Sequence, residues 1–306
     1  MLEIKDLTYH YPKRNGSPSR QALKGINFSL NACEIVGILG PNGSGKTTLF
    51  KILSTLIAPS HGSVKIFGKD VLLEPDKVRQ SIGVIFQNPS LDKKLSVQEN
   101  LIHQGHLYGL HGNALKEKIS RELKRYALSE RARDTVETLS GGMQRRIEIL
   151  KGTLHSPALL LMDEPSAGLD IKARKEMWEH LKQLKKEGIT VLLTTHLIEE
   201  AERCDRLVLF NEGSIVASGA PSKIKEEIGQ EVIVIETSDP QALAAKLKIF
   251  PFSYTLLANT LRVETNKGHE FIPQIMDKFG EDIISITVGK PTLEDFFIHK
   301  TGHKFV

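Results

Sequence analysis

Gly40-Pro41-Asn42-Gly43-Ser44-Gly45-Lys46-Thr47 is the stretch with the plainest chemistry in this chain. It fits G-x-x-x-x-G-K-[ST], with an apolar run before it and a helical pattern opening at Thr47 and Thr48 after it, which is the setting the pattern requires. Glycines let the backbone curl so that its N–H groups converge on phosphate oxygens, with the positive end of a helix behind them. Lys46 adds charge toward the β- and γ-phosphates, and Thr47 offers an oxygen to Mg²⁺. The chemistry is that of holding a nucleoside triphosphate.

A second signal is "LLLMDEP" at 159–165, an apolar strand ending in two acids. Asp163 and Glu164 emerge at its carboxyl end, where ligands of α/β sheets bind. Asp163 suits Mg²⁺, usually through water. Glu164 suits polarising an attacking water. Gln87, ending "IGVIFQ", is placed to reach the metal or that water, and His196, ending "VLLTTH", to donate to a γ-phosphate. On spacing alone each also reads as a helix cap or a satisfied polar residue. Tyr11 reads either as a platform for adenine or as edge packing at a strand end. "TLSGGMQRR" at 138–146 is a further anion-gripping helix start, with Ser140 as cap and bare N–H groups at Gly141 and Gly142. One phosphate loop and two such helix starts need an explanation.

The elements that must position these residues alternate. Residues 2–11 read as a strand, "KRNGSPSRQ" as a polar loop, and "INFSLNACEIVGILG" as two strands, the second a continuous apolar run. A helix follows, then a short strand at "GSVKIFG". Residues 96–155 turn helical in three segments, with glycine-rich breaks near 109–112 and 140–142. Strand character returns at 158–163, 190–195 and 205–210 with helical stretches between. This predicts an α/β core with a mostly parallel sheet and a helical insertion at about 88–156. "SGAPSKIKEEIGQ" closes that core with a turn and a short helix. After Gln230 the order becomes β-α-β-β-α-β, with a hairpin about Ala258–Asn259, which is the split βαβ arrangement. The expected domains are 1–230 and a small ferredoxin-like one at 231–306 that includes the tail.

At 306 residues the chain is long enough for a large domain and a small one. Its net charge of +4 is spread along the chain, which argues against a dedicated nucleic-acid binder. Cys33 and Cys204 lie far apart without metal-ligand spacing, which fits a reducing cytoplasm. No apolar run approaches the roughly 18–20 residues that span a bilayer. Any membrane-embedded part of the process is expected on another chain.

The phosphate loop, Gln87, "LSGGM" at 139–143, "LLLMDEP", "SAGLD" at 166–170 and His196 occur together in the order of one family. The chain resembles the nucleotide-binding subunit of an ATP-binding cassette transporter over about residues 1–228. The resemblance implies a P-loop cassette whose core includes an antiparallel β part, and two cassettes facing head to tail. The signature serine and glycines of one then cap the γ-phosphate held by the phosphate loop of the other. Ser140, Gly141 and Gly142 would complete the partner's site, with Asp170 on the seam. Glu164 would be the catalytic carboxylate, His196 the γ-phosphate contact and Gln87 the residue facing the membrane subunit. Tyr11, rather than Tyr9, falls where the family's adenine-stacking aromatic sits. Met143 and Ser166 depart from the commonest residues at their positions without removing a phosphate ligand. "SLDKKLSVQENL", "LTTHLIEEAERCDRL" and "KPTLEDFFIHKTG" are similar to the exporter branch that includes daunorubicin-resistance and nodulation-factor export subunits. The expected partners are a second nucleotide-binding subunit and a polytopic permease, with the chain peripheral on the cytoplasmic face of the membrane and no nucleic acid. The rival is a soluble cassette acting on ribosomes or DNA. Proteins of that kind usually carry two cassettes in one chain or long inserted coiled coils, and this chain has neither.

Overall fold

The computed structural model describes residues 1–12, 19–250, 253–257, 259–266, 268–303 and 305. The first six residues of the expected polar loop, 13–18, and Ala258 at the expected hairpin tip lie outside the described residues.

Three sheets organise the chain. The central one has six strands in the order β10-β9-β3-β8-β7-β6. These are β3 (Ile35–Leu39), β6 (Ile82–Ile85), β7 (Leu159–Asp163), β8 (Thr190–Thr195), β9 (Arg206–Asn211) and β10 (Ser214–Gly219). All neighbours are parallel except β9 and β10. Every residue of β3, β7 and β8 is buried, because both faces of the sheet are covered. Alternate side chains serve the two faces. Ile35, Leu39, Leu160, Met162, Val191 and Leu193 join one core cluster, while Val36, Ile38, Leu159, Leu161 and Leu192 join the other. That two-sided burial is why these strands read as unbroken apolar runs.

The second cluster is closed by α1 (Lys46–Leu53) and an antiparallel sheet of order β2-β1-β4-β5, formed by β1 (Leu2–Tyr11), β2 (Arg20–Leu30), β4 (His61–Ile66) and β5 (Lys69–Asp70). Arg20 and Gln21, expected in the loop, belong to β2, where they pair with Tyr11 and His10 of β1. Ladder hydrogen bonds override their polar character. After α2 (Pro75–Ser81) the first cluster receives the helical block, α3 (Val97–Leu107), α4 (Gly112–Arg125) and α5 (Gly141–Thr153), together with α6 (Ile171–Lys186). Ser96 and Glu99 form a capping box that fixes the start of α3. Gly141 and Gly142 are not a break between helices. They are the first turn of α5.

Beyond α7 (Ile198–Ala201) and α8 (Pro221–Glu226), the third sheet contains β11 (Glu231–Glu236), β12 (Ser253–Leu257), β13 (Thr260–Thr265) and β14 (Ser285–Gly289), in the order β12-β13-β11-β14 and wholly antiparallel. With α9 (Pro240–Leu247) and α10 (Gly268–Phe279) this is the ferredoxin-like topology, with its own core around Ile233, Leu243, Leu261 and Ile275. The chain then returns. Helix α11 (Leu293–Thr301), absent from the elements expected above, buries Leu293 and Phe296 in the large cluster beside Ile224 and Ile228. Thr292 and Asp295 close a capping box at its start. Asp295 also accepts from Arg262 of β13, and His299 Nδ1 lies 2.7 Å from Glu264. One helix is thus fastened to both bodies. Among the described residues no helix is long and apolar enough to cross a membrane.

Candidate nucleotide site

Strand order alone gathers the candidate residues. β6, β7, β8 and β3 lie side by side and parallel, so their carboxyl ends share one edge of the sheet. Gln87 follows β6, Asp163 and Glu164 end β7, His196 follows β8, and the glycine loop follows β3.

The loop is shaped by glycines where a side chain would not fit. Gly45 has φ +110°, and a Cβ there would stand 2.6 Å from the Ala22 carbonyl. A Cβ on Gly40 would stand 2.5 Å from the Phe210 carbonyl. Lys46 is 4% exposed and folds back on the loop, its Nζ donating to the Gly40 and Pro41 carbonyls at 2.7 and 3.0 Å. Burial pulls its pKa below the ordinary lysine value, and the nearby Glu164 and Asp163 charges partly oppose that. The Ser44 hydroxyl is buried without a hydrogen-bond partner among the described residues. Thr47 is exposed at the first turn of α1. Tyr11 Oη is 3.1 Å from Thr48 Oγ1, and its ring meets Tyr9 edge-on at 4.9 Å. A cavity of about 220 Å³ is lined by Tyr11, Asn42, Gly43, Lys46, Thr47 and Glu164, among others. Tyr11 therefore faces the loop, and Tyr9 braces it from behind.

Opposite the loop, the acids are held by a residue that sequence reasoning missed. Thr194 Oγ1 donates to Asp163 Oδ1 at 2.5 Å and accepts from the Glu164 backbone N–H at 3.0 Å. Asp163 is 5% exposed, and burial raises its pKa while the Thr194 bond works against that rise. Glu164 adopts φ +44°, a left-handed conformation that is uncommon outside glycine and turns its side chain off the strand axis. Its two oxygens are then shared. Gln87 Nε2 donates to Oε2 at 3.1 Å, and His196 Nδ1 lies 3.2 Å from Oε1. A carboxylate held from both sides, beside a phosphate loop, is oriented to accept a proton from water.

Arg20 is a second omission. Its guanidinium donates to the Gly43 carbonyl at 2.8 Å and lines the same cavity. The signal for both was weak: a polar residue at a strand end, inside a run read as core or as loop.

Ser140, Gly141, Gly142 and Asp170 form a separate group. Ser140 caps α5, accepting from Met143 N at 3.4 Å, and Asp170 caps α6, accepting from Ala173 N at 2.7 Å. The two helix starts touch, since a Cβ on Gly142 would come within 2.8 Å of Ala173 Cβ. Gly141, by contrast, faces open space.

Among the described residues no cluster of three or more His, Cys, Asp or Glu forms a protein-only metal cage. The donors present are a hydroxyl (Thr47), a carboxylate (Asp163) and an amide oxygen (Gln87). Such a set fits a Mg²⁺ that keeps its waters and phosphate oxygens as further ligands.

A phosphate loop after β3, an acid pair at the end of β7 two strands away and a capped, glycine-bearing helix start define an ATP-binding cassette. Residues 23–167 match the ABC transporter family. The Nod factor export ATP-binding protein I of Rhizobium sp. (strain N33) is 36% identical over 284 residues, covering 92% of each chain. The daunorubicin resistance ATP-binding protein DrrA3 of Streptomyces coeruleorubidus is 33% identical over 300 residues, covering 95% of this chain and 93% of that one. Among solved structures, a dimeric ATP-binding cassette holding ADP and phosphate after hydrolysis superposes with TM-score 0.65 at 29% identity, covering 72% of this chain and 98% of the other. This chain belongs to the ABC transporter family, as an ATP-binding and ATP-hydrolysing subunit.

Proposed function

We propose that the chain is the motor subunit of an exporter, pairing with a second nucleotide-binding subunit and driving a separate polytopic permease from the cytoplasmic face of the membrane. The observation that carries this reading is the doubly held Glu164 facing the phosphate loop. The relatives named above, which export Nod factor or confer daunorubicin resistance, support the direction of transport. Residues 1–230 act as the cassette, with 88–156 as its helical part, and 231–306 as an accessory domain with its returning tail.

ATP seats with its phosphates on the backbone of Gly40–Gly45, and Lys46 exchanges its two carbonyl partners for β- and γ-phosphate oxygens. The protein has already met the cost of burying that ammonium, and anionic phosphate oxygens pair with it more strongly than neutral carbonyls do. Thr48 stays with Tyr11, whose ring supports the adenine. Mg²⁺, held by Thr47, Asp163 and Gln87, would contribute positive charge beside the β- and γ-phosphates. Glu164 takes the proton of the attacking water, with its direction set by Gln87 and His196. His196 then donates to the γ-phosphate.

One loop and one signature per chain leave each pocket open on one side. Ser140, Gly141 and Gly142 supply the missing wall to the partner's site, with Asp170 at the seam. Closure driven by ATP requires that ATP bind the closed pair more tightly than the open one. A contact made only on closure provides that difference.

The experiment is affinity purification of the full chain from its own cells, followed by ATPase assay. A polytopic membrane protein in the eluate and ATP turnover are expected. RNA or DNA in its place, with binding that falls steeply as salt rises, would support the ribosome or DNA reading instead.

A further inference from the structure

The segment joining β6 to the helical block, Phe86 to Ser90, has no regular secondary structure, so its backbone groups need partners from elsewhere. One face of α5 supplies them. Arg145 Nη1 donates to the Phe86 carbonyl at 3.1 Å, and Nη2 to the Gln87 carbonyl at 3.4 Å. Three residues on, Glu148 Oε1 accepts from Ser90 N at 2.8 Å. Three further, Lys151 Nζ donates to the Ser90 carbonyl at 2.7 Å. Arg145 and Glu148 also pair with each other at 2.9 Å, with side chains only 5% and 2% exposed. A buried ion pair is a poor source of stability, because desolvation offsets its attraction. What it contributes here is a braced guanidinium, whose two ends reach the Phe86 and Gln87 carbonyls.

Resting on the ATPase reading above, we infer that Arg145, braced by Glu148, is a positioning residue that sets Gln87 against Glu164 and ties that placement to the signature helix. The links are continuous. Ser140 caps α5, α5 carries Arg145, Arg145 holds the Gln87 main chain, and the Gln87 side chain meets Glu164. Since Ser140 serves the partner's nucleotide, occupancy of one pocket is transmitted to the carboxylate of the other. The two pockets of a dimer are thereby coupled through rigid parts rather than through solvent.

The test uses the full-length chain with R145M/E148M, an apolar pair of similar size, and R145K, which keeps charge but loses the fork. The measurements are melting temperature, affinity for a fluorescent ATP analogue, kcat and KM, each also in a Q87A background. The expected result is an R145M/E148M protein that still folds, with a melting temperature lowered by the lost partners of Phe86, Gln87 and Ser90, and that binds nucleotide within about twofold of wild type, with kcat down about tenfold or more. R145K recovers part of that loss. Because Arg145 acts through Gln87, adding R145M/E148M to Q87A changes kcat by less than about twofold. An unchanged kcat overturns the inference. So does an equal loss in the Q87A background, or a loss of nucleotide affinity that accounts for the loss of rate. If R145M/E148M does not fold, R145K alone and with Q87A carries the same comparison. A failure of the ATPase reading is separate, since it would show as a wild-type chain with no turnover to lose.

Discussion

Thr194 stands between Asp163 and Glu164, giving its proton to the first and accepting the backbone N–H of the second. One hydroxyl thus fixes a buried carboxylate and the left-handed turn that aims its neighbour. Thr194→Val keeps the shape and removes both bonds. It should lower kcat by about ten- to a hundredfold with little change in nucleotide affinity, whereas Thr194→Ser should retain most activity. Steady-state kinetics on the two variants decides it.

Glu164→Gln keeps the size of the side chain and removes its basicity. Turnover should fall by about a hundredfold or more, while ATP binding persists and holds chains together as a dimer. Light scattering with ATP, set beside a phosphate-release assay, checks both halves. Normal turnover in this variant removes Glu164 from the role of base.

Gly141 and Gly142 separate packing from partner contact. A methyl group at 142 runs into Ala173, so Gly142→Ala should push the starts of α5 and α6 apart and lower the melting temperature. At 141 a methyl group meets nothing within 4 Å. Gly141→Ala should leave stability unchanged or raised by up to about 1 kcal/mol, because alanine is the better helix former. It should nevertheless weaken ATP-driven pairing about tenfold or more if, as proposed, the open space beside Gly141 receives the partner's nucleotide. A Gly141→Ala chain that pairs and hydrolyses normally would remove the signature from the partner's pocket.

Acid sensitivity has a definite sign at His155. Its Nε2 is 2.9 Å from the Ile82 carbonyl, its ring stacks on Tyr108 at 3.7 Å, and its Nδ1 is buried with no partner among the described residues. Burial, with Lys118 nearby, holds its pKa below the ordinary 6.5. The unfolded chain therefore takes the proton first. The stability present above pH 6.5 is lost as pH falls below it, until the folded-state pKa is passed. The denaturant midpoint of wild type should drop between pH 7 and 5, and His155→Phe should flatten that drop. Equal slopes would show that His155 is not the group responsible.

Much of this site was readable from the sequence because its signals are local. Gly40 to Thr47 bind through their own backbone, so type and spacing carry the information. Asp163 and Glu164 are marked by the end of an apolar run. Gln87 and His196 were ambiguous until the sheet order brought them to opposite sides of Glu164, which no spacing along the chain encodes. Thr194 was passed over because a threonine in "VLLTTH" looks like any β-branched residue in a buried strand. Arg20 was hidden by composition, since a polar run rich in serine and glycine ends in a strand only when β1 is there to pair with it. Helix α11 escaped notice because its apolar side chains pack in the large cluster while Asp295 and His299 reach Arg262 and Glu264 of β13, partners that no spacing along the chain reveals.

That last helix has a consequence for synthesis. Leu293 and Phe296 share a core with Ile35, made some 260 residues earlier, so a nascent cassette keeps an unsealed apolar seam until α11 clears the ribosome. A chain clipped before Leu293 would carry that greasy gap uncovered, open to proteolysis or to association with another apolar surface.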